Sequence, residues 1–129
     1  MSENKELIQK WIYLADRDLS TAKVIYLHLP DYYEMIAFHC QQSVEKYLKS
    51  LLVYHEIEFD RSHNLVYLLD LLSRKIEIDT EKYDKAILLN SYSVQIRYPD
   101  QIIQLTKEEI ETAIQISDYF QDFSINIIG

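Results

Sequence analysis

The sequence predicts an all-α fold, an antiparallel up-and-down bundle of about five helices forming one domain over residues 1–129. Three observations point there. The 129 residues contain one glycine, Gly129, and two prolines, Pro30 and Pro99. That is too little turn chemistry for a sheet protein, whose tight turns draw on Gly, Pro, Asn and Asp. Hydrophobic residues make up 48% and charged residues 26%, a balance that buries a core rather than staying disordered. Between a few breaks, apolar residues recur at spacings of three, four and seven, the period of one helix face.

The breaks fall at Leu29-Pro30-Asp31, around Asp60-Arg61-Ser62-His63-Asn64, at Glu77-Ile78-Asp79-Thr80 and at Tyr98-Pro99-Asp100. Each proline disfavours helix at the residue before it. The first helix is expected from about Asn4 to His28, with Leu7, Trp11, Leu14, Ala15, Ala22 and Ile25 as its stripe. The second runs from about Asp31 to Glu56, with Ile36, Ala37, Cys40, Val44, Tyr47, Leu48, Leu51 and Leu52 facing the core. The third, from Asn64 to about Ile76, carries Leu65, Leu68, Leu69 and Leu72, and Ser62 or Asn64 can cap it. The fourth spans about Thr80 to Arg97, with Thr80 as cap and Ala86, Leu89 and Ile96 in its stripe. The fifth opens on Thr106-Lys107-Glu108-Glu109, a capping box in which Thr106 and Glu109 satisfy each other's backbone donors. It continues through Ile110, Ala113, Ile114, Ser117 and Phe120. The tail from Phe123 to Ile128 is expected either to fray or to cover another subunit.

The near-absence of glycine excludes backbone phosphate loops of the G-x-G-x-x-G or G-x-x-x-x-G-K-[ST] kind. The net charge of −8 argues against non-specific binding of nucleic acid, which phosphate neutralisation drives. The acidity is uneven: residues 1–75 carry a net −2 and residues 76–129 a net −6. An anion site is therefore expected in the first region or at Arg97. The lone Cys40 excludes an internal disulfide and fits a reducing compartment. The first six residues hold no apolar signal core, and no apolar run is long enough to cross a bilayer. The expected location is cytoplasmic, with no membrane contact. Eleven tyrosines, apolar in body and polar at the tip, favour an oligomer.

Three constellations stand out. Asp18 lies four residues after Leu14 and four before Ala22, which sets a carboxylate on the apolar stripe. A buried charge is costly unless paired. It is therefore either an ion pair with a cation of another helix or an acid that orients a ligand. His39, Gln42, Lys46 and Lys49 share one face of the second helix, with Glu45 beside them. That face is either a solvated surface with a weak Glu45–Lys49 pair or a contact surface for a nucleotide. Arg97, at the end of the fourth helix, either matches the helix dipole or presents a bidentate phosphate contact. No metal or cofactor is expected: the four histidines lack the i,i+4 pairing of helical metal sites, and Cys40 sits on an apolar stripe where a thiol is inert packing.

In their order along the chain, four blocks resemble the HEPN family of small prokaryotic helical proteins. They are Ala15-x2-Asp18-Leu19-x2-Ala22, Phe38-His39-Cys40-Gln41-Gln42-x2-Glu45-Lys46-x2-Lys49-x2-Leu52, Ser62-His63-Asn64-Leu65-x3-Leu69 and Arg97-Tyr98-Pro99-Asp100. The resemblance covers about residues 8–122, and the second block is its most specific part. It implies an antiparallel bundle, a homodimer, and work beside a small nucleotidyltransferase as one half of a toxin–antitoxin pair. Many members are also metal-independent ribonucleases carrying Arg-x4–6-His. Here the positions such a His would fill after Arg97 are Ile102, Ile103 and Gln104, and neither Arg17 nor Arg61 starts the pattern. The expected function is a non-catalytic module binding nucleotide or RNA through Asp18, His39, Gln42, Lys46, Lys49, His63 and Arg97. The alternative is a ribonuclease with Arg97 as its catalytic residue and His39 or His63 as proton carrier. A third reading is a purely structural partner domain whose Tyr-rich face and apolar tail bind another chain.

Overall fold

The computed structural model describes the backbone of residues 2–94 and 105–129 and the side chains of residues 4–92 and 105–129. Arg97, Ile96, Pro99 and the rest of that block lie outside the described residues. Among the described residues five helices appear in the predicted order: α1 Ser2–His28, α2 Tyr33–Tyr54, α3 Leu65–Leu72, α4 Thr80–Val94 and α5 Lys107–Ile128. No helix among the described residues is long and apolar enough to cross a membrane.

Hydrogen bonds between side chains set the helix directions. Lys23 pairs with Asp118, Tyr26 with Glu111 and Gln121 with Asp16, so α1 and α5 run antiparallel. Ser117 Oγ donates to the Cys40 carbonyl and Ser124 Oγ to the Tyr47 carbonyl. That constant offset makes α5 parallel to α2. The Lys82 ammonium lies over the Phe123 ring and that of Lys85 over Tyr119, which sets α4 antiparallel to α5. The four long helices thus alternate up and down, as the sequence predicts. The short α3 runs antiparallel to α4, tied to it by Tyr83–Asp70 and Asn90–Asn64.

α2 is the axis of the molecule and touches each of the other four helices. All eight of its predicted stripe residues are buried, and so are those of α3. In α1 the buried face is Ile8, Ala15, Leu19 and Ala22, whereas Leu7 and Leu14 are exposed. This corrects the predicted stripe. Two adjacent faces of α1 carry apolar residues at seven-residue steps, and among the described helices α1 packs on α2 and α5 alone, so one of them remains outside.

The caps explain the helix ends. Asn64 Oδ1 accepts from the Val66 N–H at the start of α3, and Thr106 and Glu109 form the predicted capping box of α5. At α4 the cap is Asp79 rather than Thr80: its carboxylate accepts from the Lys82 N–H at 3.1 Å. That bond holds the Asp79 carboxyl below its ordinary value. The segment after Phe120 neither frays nor stands apart. It is the last part of α5, with Ser124 buried and Phe123, Ile127 and Ile128 packed on the core.

α2 ends in a Schellman turn made without glycine. The Ile57 N–H donates to the Leu52 carbonyl at 2.8 Å and the Glu56 N–H to the Val53 carbonyl at 3.0 Å. Glu56, at the position glycine usually fills, has φ 58°, where a Cβ crowds the following carbonyl. Glu56→Gly is therefore expected to raise stability by about 1 kcal/mol, read as a higher urea midpoint with an unchanged slope.

Candidate functional site

Among the described residues, two ion-paired carboxylate centres lie along α2. In the first, Asp18 of α1 receives two groups from α2. His39 Nδ1 lies 2.9 Å from Oδ1, and Lys46 Nζ donates to Oδ2 at 2.5 Å. His39 and Lys46 are seven residues apart, two helical turns, so both project from one side of α2 toward the same acid. The cluster is largely but not fully buried, its three side chains retaining 14–21% exposure. The ion-pair reading of Asp18 thus describes its geometry. Gln42, at spacings of three and four from His39 and Lys46, is half-buried on the same face.

The second centre is Glu45. Its Oε2 accepts from Lys49 Nζ at 2.8 Å, and its Oε1 lies 2.7 Å from His63 Nδ1. The expected solvated pair is in fact buried: Glu45 and Lys49 are only 3% and 6% exposed. The Lys49 ammonium lies 5.4 Å from the Trp11 ring centroid and 5.9 Å from that of Phe59, so aromatic faces supply part of what water would. Lys49 therefore turns away from the His39–Gln42–Lys46 surface. His63 sits at the far side of this centre with 69% of its side chain exposed.

Sequence reasoning missed two features. Gln41 is buried and donates through Nε2 to the His63 carbonyl at 2.7 Å and to Asn90 Oδ1 at 3.2 Å, which anchors the main chain beside His63. Tyr47 is fully buried, and its hydroxyl donates to the Asp16 carboxylate, while Gln121 Nε2 donates to both. Burial and the Asp16 carboxylate push the Tyr47 phenol up, so it remains a donor. The signal available was that a tyrosine on a core stripe needs a polar partner. Cys40 is inert packing by the same token, its thiol pushed up to about 12 by burial. Among the described residues no group of three His, Cys, Asp or Glu side chains is placed to hold a metal ion.

The arrangement offers two chemical capacities. Lys46 has three N–H donors and Asp18 takes one, so donors remain for an anion. Each of His39 and His63 has Nδ1 against a carboxylate, which leaves Nε2 as the nitrogen for other work. Arg97 lies outside the described residues.

The family model described as "HEPN domain" matches residues 8–128 of this chain. Among solved structures, a protein from Thermus thermophilus is 25% identical over 92% of this chain and 96% of its own, with a TM-score of 0.81. A structure described as an archaeal HEPN homologue is 23% identical, covering 95% of this chain and 98% of its own at a TM-score of 0.77. A HEPN domain protein from Thermotoga maritima is 21% identical, covering 92% and 97% respectively, also at 0.77. A search of curated proteins gives no match.

The buried Glu45–Lys49 pair generates a direct prediction. Glu45→Ala strands the Lys49 charge and is expected to cost about 3–5 kcal/mol. Glu45→Gln combined with Lys49→Met removes both charges and should cost clearly less. Equal losses in chemical denaturation would show that stranding the Lys49 charge carries no penalty of its own.

Proposed function

The chain belongs to the HEPN domain family, and on that premise we propose that it is a nucleotide- or RNA-binding module that makes its phosphate contact at the α1–α2 seam. The observation that supports this is the Asp18–His39–Lys46 cluster. It gathers an ammonium with unused donors, an imidazole and the neighbouring Gln42 on one partly exposed face. Asp18 holds Lys46 and His39 in place, so the phosphate meets groups already ordered. Lys49 contributes from the second rank as the partner of Glu45, His63 adds a contact from the loop before α3, and Arg97 is assigned a phosphate contact from the sequence alone. The module works in the cytoplasm as a homodimer beside a small nucleotidyltransferase, as part of a toxin–antitoxin pair. The exposed Leu7 and Leu14 of α1 and Met35 and Phe38 of α2 border the same seam, and a second copy burying them is in keeping with this reading.

Titration of ATP, GTP and a short RNA into labelled protein tests the contact. Amide shifts are expected around Lys46 and Gln42, and Lys46→Met should weaken binding about tenfold, the worth of one charge-assisted hydrogen bond. An absence of shifts near Lys46, Lys49 and Arg97 with all three ligands would end the phosphate reading.

One observation favours a second reading, a metal-independent ribonuclease. Both His39 and His63 carry the carboxylate-bound Nδ1 of a general-base imidazole. In that case Arg97 stabilises the charge developing on phosphorus. Incubation with RNA in the presence of a metal chelator decides it. Cleavage should fall at least about a hundredfold in Arg97→Ala, and cleavage that survives the substitution would place the activity elsewhere.

A further inference from the structure

The four histidines of the chain occupy four different settings. His28 is exposed in the last turn of α1. His39 is largely buried and shares Asp18 with Lys46. His55 has a buried Nε2 without a hydrogen-bond partner, and burial together with the nearby Lys75 pushes its imidazole down. His63 alone joins an exposed ring to a buried carboxylate. Its side chain is 69% exposed, while Glu45, which lies 2.7 Å from Nδ1, is 4% exposed.

Three contacts fix how that ring is presented. Gln41 holds the His63 carbonyl at 2.7 Å. The Ser62 hydroxyl accepts from the next backbone N–H, that of Asn64, at 3.1 Å. Glu45 in turn is fixed by Lys49. An ionised carboxylate only accepts, so Nδ1 donates to Glu45 and the neutral ring keeps its lone pair on Nε2. A surface imidazole needs none of this support to be soluble. Burying an ion pair is also a poor way to stabilise a helix bundle, since an apolar pair of the same volume does as well or better. What the buried pair supplies is an acceptor of fixed direction behind an exposed nucleophile, the logic by which a carboxylate orients histidine in covalent catalysis.

We propose that His63 is a phosphoryl-acceptor site, its Nε2 taking a phosphoryl group from a small activated donor of the acyl phosphate or phosphoramidate class. The Nε2 lone pair forms the N–P bond as the donor's P–O or P–N bond breaks. The leaving group departs as a carboxylate, or as ammonia that takes its proton from water. Nδ1 keeps its proton throughout, so the ring becomes positive, and the Glu45 carboxylate 2.7 Å away offsets that charge. The proposal needs neither the nucleotide contact at Asp18 nor Arg97.

The test is incubation of the full chain with potassium phosphoramidate, followed by phosphorus NMR and site mapping by mass spectrometry. His63 is expected to label about tenfold faster than His28, the low end of what a carboxylate behind a metal-bound histidine contributes, and only at Nε2. His63→Ala should remove that fast phase. Glu45→Met with Lys49→Met, shown by circular dichroism to be folded, removes the acceptor along with both charges and should slow His63 to the rate of His28 and let the Nδ1 isomer appear. A purely structural role for Glu45 would not move the isomer. Equal rates at His63 and His28 in the unmodified chain would overturn the proposal, whatever the fate of the double variant. So would a folded double variant that still labels His63 quickly and only at Nε2.

Discussion

The central constraint in this bundle is that α2 is enclosed by four other helices. Thirteen of its residues are buried, and among them are Gln41, Ser43, Glu45, Lys49 and Ser50. A helix in that position cannot leave a polar residue to water, so each of these five finds a partner on a neighbour or in its own backbone, with Gln41 Oε1 the one buried atom among them left without one. Ser43 and Ser50 bond back to carbonyls three residues earlier. Gln41 reaches the loop before α3, and Glu45 reaches Lys49 and His63. The loop between α2 and α3 is therefore positioned by polar bonds from the core, and those same bonds create the histidine-bearing edge.

Much of this was legible in the sequence. The α2 stripe could be read without error because its apolar residues occupy a wide, continuous face and every part of that face is covered. The capping box at Thr106 and the Asn64 cap were legible because caps depend on residues within three positions. The α1 stripe was not, since Leu7 and Leu14 repeat at the same seven-residue step as Ile8, Ala15 and Ala22. Periodicity finds a face but cannot say which of two faces meets a neighbour. The Asp79 cap was displaced by one residue for a similar reason, because Asp79 and Thr80 are both good caps.

For the candidate site, residue type was more informative than partner. Asp18 on an apolar stripe signalled a paired acid, and its pair is two residues of α2. The Glu45–Lys49 spacing signalled an ordinary surface pair, and only the packing of Trp11 and Phe59 over it shows it to be buried. Such closure is a tertiary effect with no local signature. Lys46 and Lys49, which looked like a positive surface in an acidic protein, are each joined to a carboxylate. The anion contact proposed at this seam therefore rests on hydrogen-bond donors rather than net charge.

The bond from Gln121 to Asp16 joins residues 105 positions apart, and with Tyr47 it closes a ring across α1, α2 and α5. During synthesis α1 and α2 emerge well before α5, so their shared hairpin must wait with one side of α2 uncovered. Segments that expose apolar surface while they await a distant partner are where chains associate wrongly. The Tyr47 hydroxyl, already bonded to Asp16, gives the waiting hairpin a fixed register and a single polar mark against which α5 can settle. Docking of α5, the last helix in the chain, is thus what completes the cover of α2.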